Sequence, residues 1–323
     1  MDLNINFNFQ MTGQPEGCVE ACNKACNKTC AEAGVLLSEV INRQLQQMGT
    51  CRGVSTLNNY ATAVNSLQAY LQTDIPLRQF DQHLMDGYER WLLQRGVCLN
   101  TVSCYMRSLR SLLAAHDERF KAAFAKVYTG TARTEKRSVA LDAVRQLRLL
   151  LLPQGSFLEL ARDVFLFSFF AMGMPLVDVA YLRKQQMTDG GFTYCRRKTG
   201  QQVHVAIEPP MADIIDRHAP QATGAFVLPL LTSGTHREYL TLLGRYNRAL
   251  KRLASAAGLE GRLTSYVVRH TWASTAYCSN VDLPVISKAL GHTNPQTTLT
   301  YIREIDDHRL FEANRQIINS LLD

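Results

Sequence analysis

Apolar residues recur at steps of three and four along most of the chain, and this period predicts a mainly helical protein. Residues 36–48 form the first helical pattern. From Ser55, read as an N-cap, Leu57, Tyr60, Val64, Leu67 and Leu71 fall on one stripe. A third pattern runs from about Asp81 to Gln94 and closes at Gly96. The fourth follows Asn100 as N-cap and turns Val102, Tyr105, Met106, Leu109, Leu112 and Leu113 inward. Its other face carries Arg107 and Arg110, set either for phosphates or for water.

The pattern breaks over 117–137, "DERFKAAFAKVYTGTARTEKR", a polar and basic stretch that reads as a linker. Helical patterns return at about 139–151, 157–172 and 176–184. In "GGFTYCRRKTGQQVHVAI" two strand-like runs flank Lys198-Thr199-Gly200, which predicts a hairpin. Helices resume at Pro210–Arg217, Glu238–Ala256, Ser265–Ser279, Pro284–Leu290 and Asp307–Leu322. The expected organisation is therefore an N-terminal extension at 1–33, an all-helical domain at 34–116, a linker at 117–137 and a mixed α/β, mainly helical domain at 138–323.

A chain of 323 residues can bury two such cores. Its 46% hydrophobic and 20% charged residues are those of a soluble globular protein. A net charge of +7 makes a polyanion the natural partner. The longest apolar run, Val164 to Leu176, is too short to span a bilayer, so no membrane partner is expected. The opening "MDLNINFNFQ" has neither a charged nor an apolar leader region, and the expected location is the cytoplasm. Nine cysteines then read as reduced thiols. Cys18, Cys22, Cys26 and Cys30 share a spacing of four, which makes a stripe of small apolar side chains if that segment is helical. A zinc site or a redox switch is the alternative.

Two stretches carry chemistry. "TSYVVRHTWASTA" and "VISKALGHTNPQTTLTYI" resemble the signature of the tyrosine recombinases, the phage-integrase family. That pattern is an Arg-His-Thr opening a helix, a Leu-Gly-His about twenty residues on, and a tyrosine nine residues past the histidine. Here these are Arg269-His270-Thr271, Leu290-Gly291-His292 and Tyr301. The resemblance covers 138–323 strongly and 36–116 more loosely; "RHTWAS" and "GMPLVDVAYLRK" are most similar to integrases of Bacteroides-type mobile elements. It implies an all-α core-binding (SAM-like) bundle followed by a DNA breaking–rejoining catalytic domain. It further implies site-specific recombination of double-stranded DNA, by integration, excision or inversion, in a homo-tetramer on DNA. An accessory DNA-bending protein is an expected partner, and no metal or other cofactor is expected.

Breaking a phosphodiester with a protein nucleophile needs an attacking oxygen, charge relief for the pentavalent phosphate and a proton for the leaving 5′-oxygen. By the resemblance, Tyr301 attacks, Arg269 holds non-bridging oxygens, His292 binds the phosphate or manages protons, and Lys198 protonates the leaving group. An unperturbed phenol titrates near pH 10, at about 10, so cations must favour the phenolate.

Two positions depart from the family. Tyr266 stands where the family usually has histidine, three residues before the second arginine; a phenol donates a hydrogen bond but carries no imidazolium charge. The first arginine is replaced by Pro175, between Gly173 and the acid Asp178. Arg162 is the expected substitute, being a lone cation in an apolar stretch, with Arg183, Lys184 and Arg197 next; a salt bridge to a neighbouring acid, or simple exposure, is the alternative for Arg162. Two other classes remain open: a DNA-binding regulator that no longer cuts, and a type IB topoisomerase-like enzyme. The terminal "DHRLFEANRQIINSLL" offers Leu310, Phe311, Ile317, Ile318 and Leu321 for docking on a neighbouring protomer or in cis.

Overall fold

The computed structural model describes residues 34–49, 53–132, 138–259, 263–294, 296–301 and 315. The chain divides into two units, Met1–Thr134 and Glu135–Asp323. The cysteine stripe at Cys18 to Cys30 and, apart from Arg315, the helix expected at 307–322 lie outside the described residues.

The first unit is a bundle of α1 (Leu37–Gly49), α2 (Val54–Leu71), α3 (Gln82–Gln94) and α4 (Leu99–His116). Its core takes the predicted stripes: Leu57, Val64 and Leu67 meet Val102, Met106, Leu109 and Leu113. Asp81 caps α3 by accepting from the Leu84 N–H at 2.8 Å, which satisfies one of the free donors of the first turn. Two expected caps shift. The N-cap of α2 is Gly53 rather than Ser55, and that of α4 is Cys98 rather than Asn100. The Asn100 amide is spent elsewhere: it donates to the Ala132 carbonyl at 3.0 Å and accepts from the Ala132 N–H at 2.8 Å. Nor is 117–137 simply a linker. Residues Glu118–Phe124 form a 3₁₀ helix whose Phe124, with Ala123 and Val127, enters the core beside Phe80.

The second unit comprises α5 (Leu141–Leu149), α6 (Phe157–Phe170), α7 (Leu176–Ala180), a three-stranded sheet, α8 (Pro209–His218), α9 (His236–Ala256), α10 (Val267–Cys278), α11 (Leu283–Ala289) and α12 (Gln296–Leu299). Helix α6 is apolar on most sides and is accordingly central, with α5, α7, α8, α9 and α10 packed on it. The sheet is antiparallel in the order β1 (Met187–Thr188), β2 (Gly191–Cys195), β3 (Gln202–Ala206). Phe192 faces Val205 and Tyr194 faces Val203, so one side of the hairpin lies on the core. The helix expected over 176–184 stops at Ala180. Beyond it the backbone pairs with a distant segment, through Lys184 N–H to the Ala225 carbonyl and Val227 N–H to the Leu182 carbonyl, each 2.9 Å. Among the described residues no helix is long and apolar enough to cross a membrane.

Candidate active site

Arg269, in the first turn of α10, is the largest fully buried side chain described, only 1% exposed. A guanidinium in that position is costly unless its donors are met. Nη1 donates to the Gly173 carbonyl at 3.0 Å, and Nη2 donates to the Leu290 carbonyl and to His292 Nε2, the latter at 3.2 Å. The turn after α6, the end of α11 and the turn beyond it thus converge on one cation. Burial lowers its pKa, and the neighbouring Arg196 adds to the effect. Gly173 makes the approach feasible. Its φ is +70°, and a Cβ there would sit 3.0 Å from Arg269 Cα. Gly173→Ala is expected to cost about 1–3 kcal/mol in urea unfolding, because the added Cβ displaces Arg269.

His292 follows Gly291 in that turn. Arginine has only donors, so His292 Nε2 accepts from Arg269, and Nδ1 carries the proton that it donates to Thr298 Oγ1 at 2.9 Å. Burial, then the charges of Arg269, Arg196 and Lys198, hold its pKa down to about 4. His292 is therefore a neutral imidazole at physiological pH.

Tyr301 is 5% exposed and packs with Ala273, Ala276, Ile286 and Leu290. Its carbonyl accepts from Ser274 Oγ at 3.1 Å. Its ring centroid lies 5.1 Å from that of His292 and 5.6 Å from the Arg269 guanidinium carbon. The hydroxyl is hydrogen-bonded to that of Tyr266. Packing thus fixes the ring while the phenol oxygen is left among polar groups.

The hairpin supplies the other wall. Phe192 and Tyr194 point inward along β2, and the same alternation carries Arg196 inward, to 3% exposure. Arg196 Nη1 donates to the Gly291 carbonyl at 2.8 Å, and Thr199 Oγ1 donates to the same oxygen at 3.0 Å. Gly291, at φ +60°, admits this contact; a Cβ would stand 3.2 Å from Arg196 Cδ. Lys198 is exposed at the turn, and its charge acts on His292. Asp178, on α7, is buried and accepts from the Arg197 N–H at 3.1 Å, tying the hairpin to the Gly173 region. Burial raises its pKa against the pull of Arg196, Arg269 and Arg197. Among the described residues, Arg196 Nε, Arg269 Nε and Asp178 Oδ2 are buried without hydrogen-bond partners. The two guanidiniums are thus neighbours, each with an Nε–H that has no hydrogen-bond partner among the described residues, and the charge of Arg196 acts on Arg269.

Of the residues expected from sequence, Tyr301, Arg269, His292 and Tyr266 are gathered here, with Lys198 on the adjoining turn. Arg162 is elsewhere, which corrects its assignment as the substitute cation. Its Nε donates to Asp163 at 2.9 Å and its Nη1 to the Leu150 carbonyl at 2.7 Å. Asp163 also takes bonds from Arg217 at 2.6 Å and His218 at 2.9 Å, so Arg162 belongs to a buried network stapling α6 to α8. Arg183 and Arg197 lie over the rings of Phe226 and Tyr181, and Lys184 donates to the Ala222 carbonyl. Arg196 is the buried cation next to Arg269 that sequence reasoning missed. Its signal was present: continuing the Phe192, Tyr194 alternation puts a charge on the apolar face of the hairpin.

Known proteins resemble the chain in sequence and in fold. Residues 163–308 match the family described as Phage integrase family, and residues 36–122 match the Phage integrase SAM-like domain. The tyrosine recombinase XerC of Syntrophus aciditrophicus (strain SB) is 23% identical over 288 residues, covering 82% of this chain and 93% of the relative. A lambda integrase dimer bound to a COC′ core site superposes with a TM-score of 0.68 at 14% identity, over 84% of this chain and 98% of that one. The Tn1549 transposon integrase, in complex with transposon right end DNA, gives 0.66 at 12% identity, over 90% and 100% of the two chains. At such identity the two structures speak for the fold alone. The chain belongs to the phage integrase family, that of the tyrosine recombinases.

Proposed function

We propose that the protein is a site-specific recombinase that cuts and rejoins duplex DNA through a 3′-phosphotyrosine at Tyr301. One observation carries the reading: the Tyr301 ring lies 5.6 Å from the buried Arg269 guanidinium carbon and 5.1 Å from the His292 ring, with the charge of Arg196 acting on Arg269. In cleavage, Tyr301 Oη bonds to phosphorus, the P–O5′ bond breaks, and the leaving oxygen takes a proton from Lys198. Arg269 and Arg196 hold the non-bridging oxygens as charge gathers on them. His292, neutral and fixed by Thr298, orients Arg269 rather than adding a charge. The phosphotyrosine keeps the energy of the diester, so a free 5′-hydroxyl can reverse the step without ATP.

Partners follow from the relatives. The lambda and Tn1549 integrases are described on DNA, the former also as a tetramer bound to a Holliday junction, which supports duplex DNA and a homo-tetramer here. The likeness of "RHTWAS" and "GMPLVDVAYLRK" to Bacteroides-type integrases favours a mobile element as substrate, acted on in the cytoplasm with an accessory DNA-bending protein. A plasmid carrying two copies of the DNA that flanks the coding sequence tests this. Deletion or inversion between the copies is the expected result. Relaxation without exchange would indicate topoisomerase-like activity, and binding with neither would indicate a regulator.

Lys198 gives a sharper test of the chemistry. Lys198→Ala is expected to slow cleavage of ordinary DNA by roughly a hundredfold or more, the scale of general-acid catalysis. A 5′-bridging phosphorothiolate leaves without a proton, so its cleavage should be largely restored. Equal losses on both substrates would remove Lys198 from that role.

A further inference from the structure

Tyr266 occupies the position at which the family usually has an imidazole, yet its hydroxyl meets the one atom that must become an anion. It precedes α10 directly, so Arg269 and Tyr266 are fixed by the same turn. Its ring packs at 5.4 Å from His270 and 5.9 Å from Tyr301, centroid to centroid, which holds the hydroxyl in place. The charged and titratable groups facing it are Arg269 and His270 from α10, Arg196 from the hairpin, and Tyr301. We propose that Tyr266 donates its hydroxyl proton to the Tyr301 oxygen and stabilises the attacking phenolate, keeping its own proton throughout. The inference rests on Tyr301 being the nucleophile.

The direction of the bond follows from the surroundings. Burial, and then the hydrogen bond and charge of Tyr301, push the Tyr266 pKa up to about 12, so Tyr266 stays a neutral donor wherever Tyr301 ionises first. The proton that Tyr301 loses as its oxygen bonds to phosphorus goes to water or to His270, whose ring centroid is 4.6 Å from its own, because Tyr266 has no vacancy to accept it. An imidazole at this position titrates near neutrality and so exists in two states across the working range. The phenol exists in one. With His292 also held neutral, neither the hydrogen-bond partner of the Tyr301 hydroxyl nor the imidazole beside its ring gains or loses a proton near neutral pH.

The test is the single-turnover cleavage rate of a nicked site, measured from pH 6 to pH 10 in the wild type and in Tyr266→Phe. The phenylalanine keeps both ring contacts, and a thermal melt with a DNA-binding assay confirms an intact fold. A hydrogen bond to a charged group is lost, so the wild type should be roughly ten- to a hundredfold faster near neutral pH. That advantage should shrink as rising pH supplies phenolate without help, moving the rising limb of the Tyr266→Phe profile to higher pH. His270 is common to both proteins and cancels in the ratio of rates. A ratio near one throughout, or one constant with pH, would overturn the proposal, the latter indicating packing alone. A polyfluorinated tyrosine installed at 266 supplies a second test. This more acidic phenol should lose its proton on the alkaline side and then repel Tyr301, so cleavage should fall there; an unchanged alkaline limb would count against the donor role. An adduct that survives in Tyr301→Phe would defeat the underlying assignment instead, independently of either result at 266.

Discussion

Tyr301→Phe is expected to abolish covalent capture of nicked site DNA, a fall of roughly 10⁴-fold or more in cleavage, the scale seen when an enzyme loses its nucleophile. The aromatic ring would stay among Ala273, Ile286 and Leu290, so the fold should survive. The loss of the hydroxyl contact with Tyr266 should cost only about 1 kcal/mol. DNA affinity should therefore remain within a fewfold of wild type in a gel-shift assay. Because guanidinium and ammonium groups supply the charge relief, EDTA should leave the wild-type adduct intact. An adduct formed at normal yield by the phenylalanine variant would refute the role of Tyr301.

The second large effect belongs to Arg196. The family's first arginine is absent at Pro175, and a single guanidinium covers only part of the charge of a pentavalent phosphate. Removing one preorganised donor costs about 3 kcal/mol, or roughly a hundredfold in rate. Arg196→Ala should show at least this loss in single-turnover cleavage, with some further loss from the freed Gly291 carbonyl. The two parts can be separated chemically. A methylphosphonate at the scissile position removes one anionic oxygen, so the penalty of Arg196→Ala should shrink severalfold on that substrate. A penalty unchanged by the neutral linkage would assign Arg196 to holding the Gly291 turn only. Arg162→Ala makes the contrast: it should destabilise the α6–α8 network and leave the folded enzyme's cleavage rate within a fewfold of wild type.

Helices were the most legible elements, because each buries one stripe and the stripe is written at three- and four-residue steps. The hairpin was legible for a similar reason, since Phe192 and Tyr194 alternate against Val203 and Val205. What sequence did not show were features set by distant partners. Asn100 reads as a cap, yet Ala132 claims both ends of its amide. Residues 182–184 continue a helical pattern, yet the backbone of 225–227 offers them extended pairing. Averaged polarity over 117–137 hid Phe120 and Phe124, whose spacing of four drives them into the first unit.

The same division holds in the site. Arg269, His292 and Tyr301 were legible as a spacing, and Lys198 as a turn. Arg162 reads equally as a substitute cation or as the partner of a neighbouring acid, and the structure realises the second, with Asp163 at 2.9 Å. Arg196 was passed over among three consecutive basic residues, Arg196, Arg197 and Lys198, of which strand alternation buries only the first. Tyr266 looked like a deficit because it cannot carry charge. Its hydroxyl is hydrogen-bonded to that of Tyr301, and on the proposal above its use there is as a donor that stays neutral.

The most direct measurement is the identity of the residue that carries the DNA. The wild-type adduct with a nicked site should be trimmed by nuclease and protease and sequenced by tandem mass spectrometry. The account predicts one nucleotide remnant, joined through its 3′-phosphate to the Tyr301 oxygen. A remnant on Tyr266 or any other side chain, or attachment through a 5′-phosphate, would contradict it.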